Sequence, residues 1–196
     1  MADLEKFQKN LEARGFGYHY FPTAQAAADY LDSQIDGCSV GVGGSMTVQA
    51  MDLCPRLEQH NRVLWHWTGA ELQEAVTTDV YLTSVNGAAE NGDLVNIDGT
   101  GNRVASTMFG HKRVYFIMGV NKIMDTPEQA LWRARNIAAP KNAQRLNRNT
   151  PCAVKADKCY NCSSPERICR ALTVLWAKPK GIEQAEVIVI GQDLGM

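Results

Sequence analysis

The sequence predicts an α/β protein whose mostly parallel sheet is flanked by helices. Three observations carry that expectation. Short apolar runs, CSVGV at 38–42, VYLTSV at 80–85, RVYFIMG at 113–119 and VIVI at 187–190, read as strands, several of them apolar on both faces. Segments with helical spacing lie between them, as right-handed crossovers of a parallel sheet require. A glycine-rich turn, Gly41-Val42-Gly43-Gly44-Ser45, sits where the first of these runs gives way to a helical pattern.

The elements follow in order. Leu4, Phe7 and Leu11 recur on one helical face and Gly15 stops it. A second helix starts after Pro22, with Thr23 as its N-cap and Ala26, Ala27, Tyr30, Leu31 and Ile35 on one side. The strand 38–42 leads into a short helix over 46–53, which Pro55 ends. A strand over 62–67, a short helix over 71–76 and the strand 80–85 come next. The Gly/Asn/Asp-rich stretch 86–102 holds the run Leu94-Val95-Asn96-Ile97 between tight turns at Asn91-Gly92 and Asp98-Gly99, as in a hairpin. The strand 113–119 precedes a helix over 126–137 with Thr126 as cap and Pro127 at its first position. Pro140 interrupts, and a polar helix continues to Arg148. A helix over 166–177 and the strand 187–190 close the chain.

With 196 residues, 45% hydrophobic and 21% charged, the chain suits one domain over 1–196 with a substantial core. Mean hydropathy is −0.26 and no apolar stretch is long enough to span a bilayer. The N-terminal residues have no secretory apolar region, so a cytoplasmic protein is expected, without a membrane partner. The net charge of −1 conceals an asymmetry. Residues 1–102 carry 5 Lys/Arg against 14 Asp/Glu, and residues 103–180 carry 15 against 4. The basic block suits an anion, or equally two halves of one domain that attract each other. A pI of 6.4 and the lack of an aromatic-plus-basic module argue against a nucleic-acid partner.

Two loops are candidate ligand sites. Glycines at 41, 43 and 44 let backbone approach a ligand closely, a helix start offers free N–H groups, and Ser45 and Thr47 add hydroxyls. The turn matches neither a P-loop nor G-x-G-x-x-G, and a plain strand-to-helix turn is the competing reading. The loop Asn86 to Gly92 follows a buried strand and carries Glu90, which serves as base or nucleophile if burial raises its pKa. Asp98 and Arg103 lie just downstream. The competing reading is an exposed polar hairpin.

The stretches VGVGGSMTVQ (40–49), GAAENGDLVNIDGTGNRVAS (87–106), VYFIMGVNKIMDTPEQALWRARNIAAPKNAQRL (114–146) and TPCAVKADKCYNCSSPERICRA (150–171) resemble, in the same order, the LUD-domain family of lactate-utilization proteins. The resemblance implies a NagB/RpiA/CoA-transferase-like fold with its ligand at the strand C-termini. CoA transferases carry a catalytic glutamate in a Glu-Asn-Gly context, which Glu90-Asn91-Gly92 resembles. The family also implies lactate-oxidation partner subunits. The larger partner carries ferredoxin-type cysteine runs that this chain lacks, so the chain is similar to the small, LUD-only members.

Within the cysteine-rich segment 150–170, Cys152, Cys159, Cys162 and Cys169 follow C-x6-C-x2-C-x6-C. The central pair can chelate from one tight turn and the outer pair can complete an S4 set. Lys155, Lys158, Arg167 and Arg170 lie around them and favour thiolate. An iron–sulfur cluster, a zinc ion, a redox dithiol at Cys159/Cys162 and plain reduced cysteines all stay open. Cys38 and Cys54 read as small core residues.

The resulting expectation is a protein that binds a small anionic metabolite: a 2-hydroxy or keto acid, a CoA ester or another phosphate-bearing ligand such as a sugar phosphate. The ligand rests on Gly41, Gly43, Gly44, Ser45 and Thr47, near Asn86 and Asp98. Glu90 supplies acid/base or acyl-transfer chemistry, and Arg103 and Lys122 counter ligand charge. The histidines and tryptophans read as structural. The alternative is a non-catalytic metal-binding or redox-sensing module that acts through the four late cysteines.

Overall fold

The computed structural model describes residues 2–155 and 157–196; Met1 and Ala156 lie outside the described residues, the second within the cysteine-rich segment. The strands are β1 (Gly17–Phe21), β2 (Ser39–Val42), β3 (Arg62–Trp65), β4 (Val80–Thr83), β5 (Gly87–Ala89), β6 (Leu94–Asp98), β7 (Arg113–Gly119), β8 (Ile123–Met124), β9 (Ala171–Leu175) and β10 (Gln184–Ile190). The helices are α1 (Leu4–Ala13), α2 (Ala24–Gln34), α3 (Met46–Ala50), α4 (Leu53–Leu57), α5 (Leu72–Ala75), α6 (Asn102–Ser106), α7 (Pro127–Arg133), α8 (Ala139–Arg145) and α9 (Pro151–Lys155).

Six strands form one parallel sheet in the order β1-β10-β7-β4-β2-β3. The period-2 alternation of β7 and β10 divides the core. Tyr115, Ile117, Ile188 and Ile190 pack with Leu31 of α2, Val48 of α3 and Leu57 of α4. Val114, Phe116, Met118, Val187 and Val189 pack with Phe7 and Leu11 of α1 and with Ala88, Leu94 and Leu175 of a second sheet. Both faces are buried, which is why these strands read as unbroken apolar runs.

The second sheet has four strands in the order β8-β5-β6-β9. β5 and β6 form the antiparallel hairpin expected across Asn91-Gly92, and β9 extends it through the Leu94↔Leu175 to Asp98↔Ala171 register. Ala130 of α7 and Ala134, just after it, pack on this sheet against Ala89 and Val95. This sheet is not foreseen by the sequence, and the helix expected over 166–177 is strand β9 instead. Ala171–Leu175 finds backbone partners on β6, and that pairing outweighs its helical spacing.

Other differences have local causes. β1, at the sheet edge, is missed because Gly-Tyr-His-Tyr-Phe shows no clean alternation. The helix expected over 46–53 breaks at Asp52, which adopts φ 50°, and Pro55 lies in the first turn of α4, where it needs no N–H partner. Pro140 does not interrupt: a wide π turn over Ala134–Ala138 joins α7 to α8 and leaves Pro140 in the first turn of α8. The two expected caps, Thr23 and Thr126, form, and Ser45 adds a third that the sequence reading did not name. Thr23 accepts from Ala26 N at 3.2 Å, Thr126 forms a capping box with Gln129, and Ser45 accepts from Val48 N at 3.2 Å.

Candidate functional site: a cationic cavity at the strand ends

In a parallel sheet the C-terminal ends of all strands meet at one edge. Here that edge gathers Gly44-Ser45 after β2, His66-Trp67 after β3, Ser84 to Asn86 after β4 and Lys122 after β7. The second sheet contributes Ile97 and Asp98, and α8 with the residues after it contributes Asn142, Arg145 and Arg148. Together they enclose a cavity of about 280 Å³. Its charged side chains are Arg103, Lys122, Arg145 and Arg148, with the carboxylate of Asp98.

Lys122 is the centre of this arrangement. Its side chain is buried, with the residue 4% exposed. Its ammonium donates to Thr47 Oγ1 and Ser84 Oγ, both at 3.0 Å. Among the described residues it forms no ion pair. Burial first, then the charges of Arg133 and Arg103, depress its pKa to about 7. Gly195 lies over it with φ +70°, and a β-carbon there would stand 2.9 Å from Lys122 Nζ. The returning chain seats Met196 in the cavity wall, where its carbonyl accepts from Arg133 at 3.1 Å.

Arg103 is a brace as well as a wall. It donates to Asn86 Oδ1 at 3.2 Å, Ile97 O at 2.6 Å and Asn96 Oδ1, and lies 3.9 Å from Asp98. Asp98 in turn accepts from Thr100 N, Gly101 N and Val104 N at 3.1–3.2 Å, and so caps the unforeseen helix α6. Asn86 Oδ1 also accepts from Ile97 N at 2.7 Å. These bonds fix the wall with donors and acceptors already spent. Arg145 stacks over Trp67 at 5.0 Å, and Arg148 forms no ion pair among the described residues.

The glycine turn is placed differently from the expectation. Gly41 is inside the sheet; a β-carbon would strike Ala75 O, Thr78 Oγ1 and Tyr81, so its role is packing. The amide of Gly43 is not free, since it donates to Leu82 O at 2.9 Å, and Gly43 packs on Tyr81 and Arg103. Gly44 and Ser45 do line the cavity, but the Ser45 hydroxyl caps a helix of only five residues. Thr47 lies behind Lys122 as its hydrogen-bond partner.

Glu90 is not brought to the cavity. It is 7% exposed, and its carboxylate accepts from Asp3 N at 2.7 Å and Lys6 Nζ at 2.9 Å, on the side covered by α1. Those partners, the Asp3 amide first, hold its pKa below the usual carboxylate range. A general acid requires the opposite shift. The expected hollow shared by Glu90 and the glycine turn is therefore corrected to one shared by the turn and Lys122.

The sequence reading missed His66, Ser84, Arg145 and Arg148 as cavity residues. Ser84 and His66 follow apolar runs, a signal available under the strand-end rule. Asn142 and Arg145 are i, i+3 neighbours on α8, and Arg148 follows in the turn after the helix, where Asn147 adopts φ 50°.

The four late cysteines share a second, smaller void of about 10 Å³, with Arg135, Ala139, Pro140, Ala143, Arg167 and Ile168 in its wall. All are free thiols. Among the described residues no three His, Cys, Asp or Glu side chains are gathered to hold a single metal ion. No helix among them is long and apolar enough to cross a membrane.

A search of curated proteins gives no match. The fold is similar to that of a crystal structure of a DUF162-family protein from Deinococcus radiodurans, with a TM-score of 0.56, 16% identity and 96% of each chain covered. The LUD-domain family model matches residues 4–190, nearly the whole chain, and the chain belongs to the LUD-domain family.

Proposed function

We propose that the cavity binds a small anionic metabolite of the 2-hydroxy or 2-keto acid class, or a sugar phosphate, and that Lys122 supplies the charge and proton chemistry there. The observation that carries this reading is a buried ammonium group without an Asp or Glu partner among the described residues, in a cavity lined by four cationic side chains and the carboxylate of Asp98. A buried charge without a counter-ion is costly unless a ligand provides one. At about 280 Å³ the space suits a small acid. A CoA ester fits only with its acyl end inside.

The class of acid agrees with the lactate-utilization resemblance. A lysine that titrates near neutrality exchanges a proton readily, which suits abstraction or return of a proton next to a bound carbonyl or hydroxyl. Ser84 and Thr47 hold its nitrogen in place, and Arg145 and Arg148 draw the anion to the mouth. Glu90 has no part in this chemistry. Calorimetric titration with lactate, pyruvate, inorganic phosphate and coenzyme A tests the proposal. Saturable binding of at least one, lost in Lys122→Met while the variant stays folded, is expected. Equal affinity in Lys122→Met refutes it.

A further inference from the structure

We propose that the ligand of the cavity has two anionic ends, a carboxylate held at Lys122 on the floor and a phosphate held at Arg145 and Arg148 on the rim, joined by a short carbon chain. The inference rests on the anion-binding reading and adds to it the class of molecule.

The cations stand at two depths. Lys122 is 4% exposed, whereas Arg145 and Arg148 are exposed residues of the same cavity wall. The two levels offer different hydrogen bonds. An ammonium group has three N–H bonds, and Lys122 gives two of them to Thr47 and Ser84. One donor is left, which suits a single carboxylate or carbonyl oxygen. The rim carries two guanidinium groups, each a planar fork of N–H donors. Such forks match the several oxygens and the higher charge of a phosphate.

Arg145 is held in place, as a merely solvated arginine is not. Its guanidinium lies over the Trp67 ring at 5.0 Å, and its Nε and Nη2 donate to Asn142 Oδ1 at 3.1 and 2.9 Å. Trp67 in turn packs on Trp65 with ring centres 5.0 Å apart, and Trp65 is a core residue of β3. A long, exposed side chain ordinarily loses rotamer freedom when it grips an anion. Here the stacking and the Asn142 bonds have already fixed the group, and no bond among the described residues uses its Nη1 edge. Preorganisation of this kind raises affinity.

The space agrees with a two-ended molecule. A water-sized group needs about 10–15 Å³, so about 280 Å³ takes roughly 20 non-hydrogen atoms. Lactate fills only a fraction of that. A carboxylate and a phosphate on a chain of several carbons fill far more of it and reach from floor to rim.

The test is calorimetric titration of the full chain with two matched pairs: D-glycerate and its terminal phosphate ester, and D-gluconate and its terminal phosphate ester. The members of each pair differ only by the phosphate, and the pairs differ in chain length. In at least one pair the ester should bind about 30-fold or more tightly than the parent acid. Arg145→Gln should cut that preference to below about 5-fold, and so should Arg145→Lys, which keeps the charge but loses the fork and the stacking. The parent acid should lose no more than about 10-fold in either variant. Lys141→Gln removes the same charge from α8 outside the cavity wall and should leave the preference unchanged. Thermal melts check that each variant is folded. Parent acids that bind through Lys122 with no preference for either ester would refute the two-ended ligand and leave the anion-binding reading standing. A preference that survives Arg145→Gln, or that Lys141→Gln removes as well, would refute the rim site. If none of the four compounds binds, the two-ended ligand is refuted, and titration with lactate and pyruvate decides the anion-binding reading separately.

Discussion

Lys122 and Glu90 are both nearly buried, at 4% and 7% exposed, and their settings are opposites. Glu90 meets a backbone N–H and an ammonium group, and its negative charge is stabilised. Lys122 meets two hydroxyls and two neighbouring cations, and its positive charge is not. The first arrangement is complete: it ties α1 to the hairpin β5–β6, with Arg14–Asp93 and Asn10 Nδ2 to Glu90 O at 2.7 Å beside it. The second is incomplete and opens on a cavity. A satisfied buried charge holds a fold together, and an unsatisfied one facing open space marks where a ligand of opposite charge belongs.

Mutations at the two residues should have opposite effects. The largest effect should come from Lys122→Met, which lowers anion affinity about 100-fold or more in calorimetry. The same change removes an uncompensated buried charge, so thermal unfolding should show stability kept or raised by about 1–3 kcal/mol. Arg145→Ala or Arg148→Ala, at the mouth, should each weaken binding roughly 3- to 10-fold, with a steeper loss at low salt than at high salt. Glu90→Gln should leave affinity within about 2-fold and lower the melting temperature by a few degrees. Because the folded-state pKa of Glu90 lies below 4.5, its contribution is present above that value and is lost as pH falls through the lower one.

The pH dependence of Lys122 has the other sign. The unfolded chain keeps this proton up to about 10.5 and the folded chain releases it at about 7, so stability rises with pH between the two. Lys122→Met should flatten that rise in denaturant titrations at pH 7 and pH 10. Anion affinity should instead fall as pH climbs through 7, since the anion prefers the protonated amine.

Much of the fold was legible because the parallel strands are buried on both faces. The runs 80–85, 113–119 and 187–190 needed no tertiary information to be read as strands. β9 was not legible, because Ala171–Leu175 becomes a strand only by pairing with a hairpin some 75 residues earlier in the chain. At the site, Arg103, Lys122, Asn86, Asp98, Gly44 and Ser45 were named from their place beyond strands, and the cavity gathers all of them. Glu90 is expected at the site on the same ground, its place beyond a strand, and on its Glu-Asn-Gly context, and neither reveals that α1 folds back with Lys6 to occupy the carboxylate. The basic run after residue 103 is ambiguous in the sequence; α8 and the turn after it set Arg145 and Arg148 in the wall shared with Lys122.

An uncompensated Lys122 charge that takes up an anion has a direct signature. The most direct measurement is an NMR titration of its ε-carbon, assigned by comparison with Lys122→Arg, in the absence and presence of saturating ligand or inorganic phosphate. A midpoint near 7 in the free protein and a clear upward move when the anion is bound are expected. A midpoint near 10.5, indifferent to every anion tried, would contradict it.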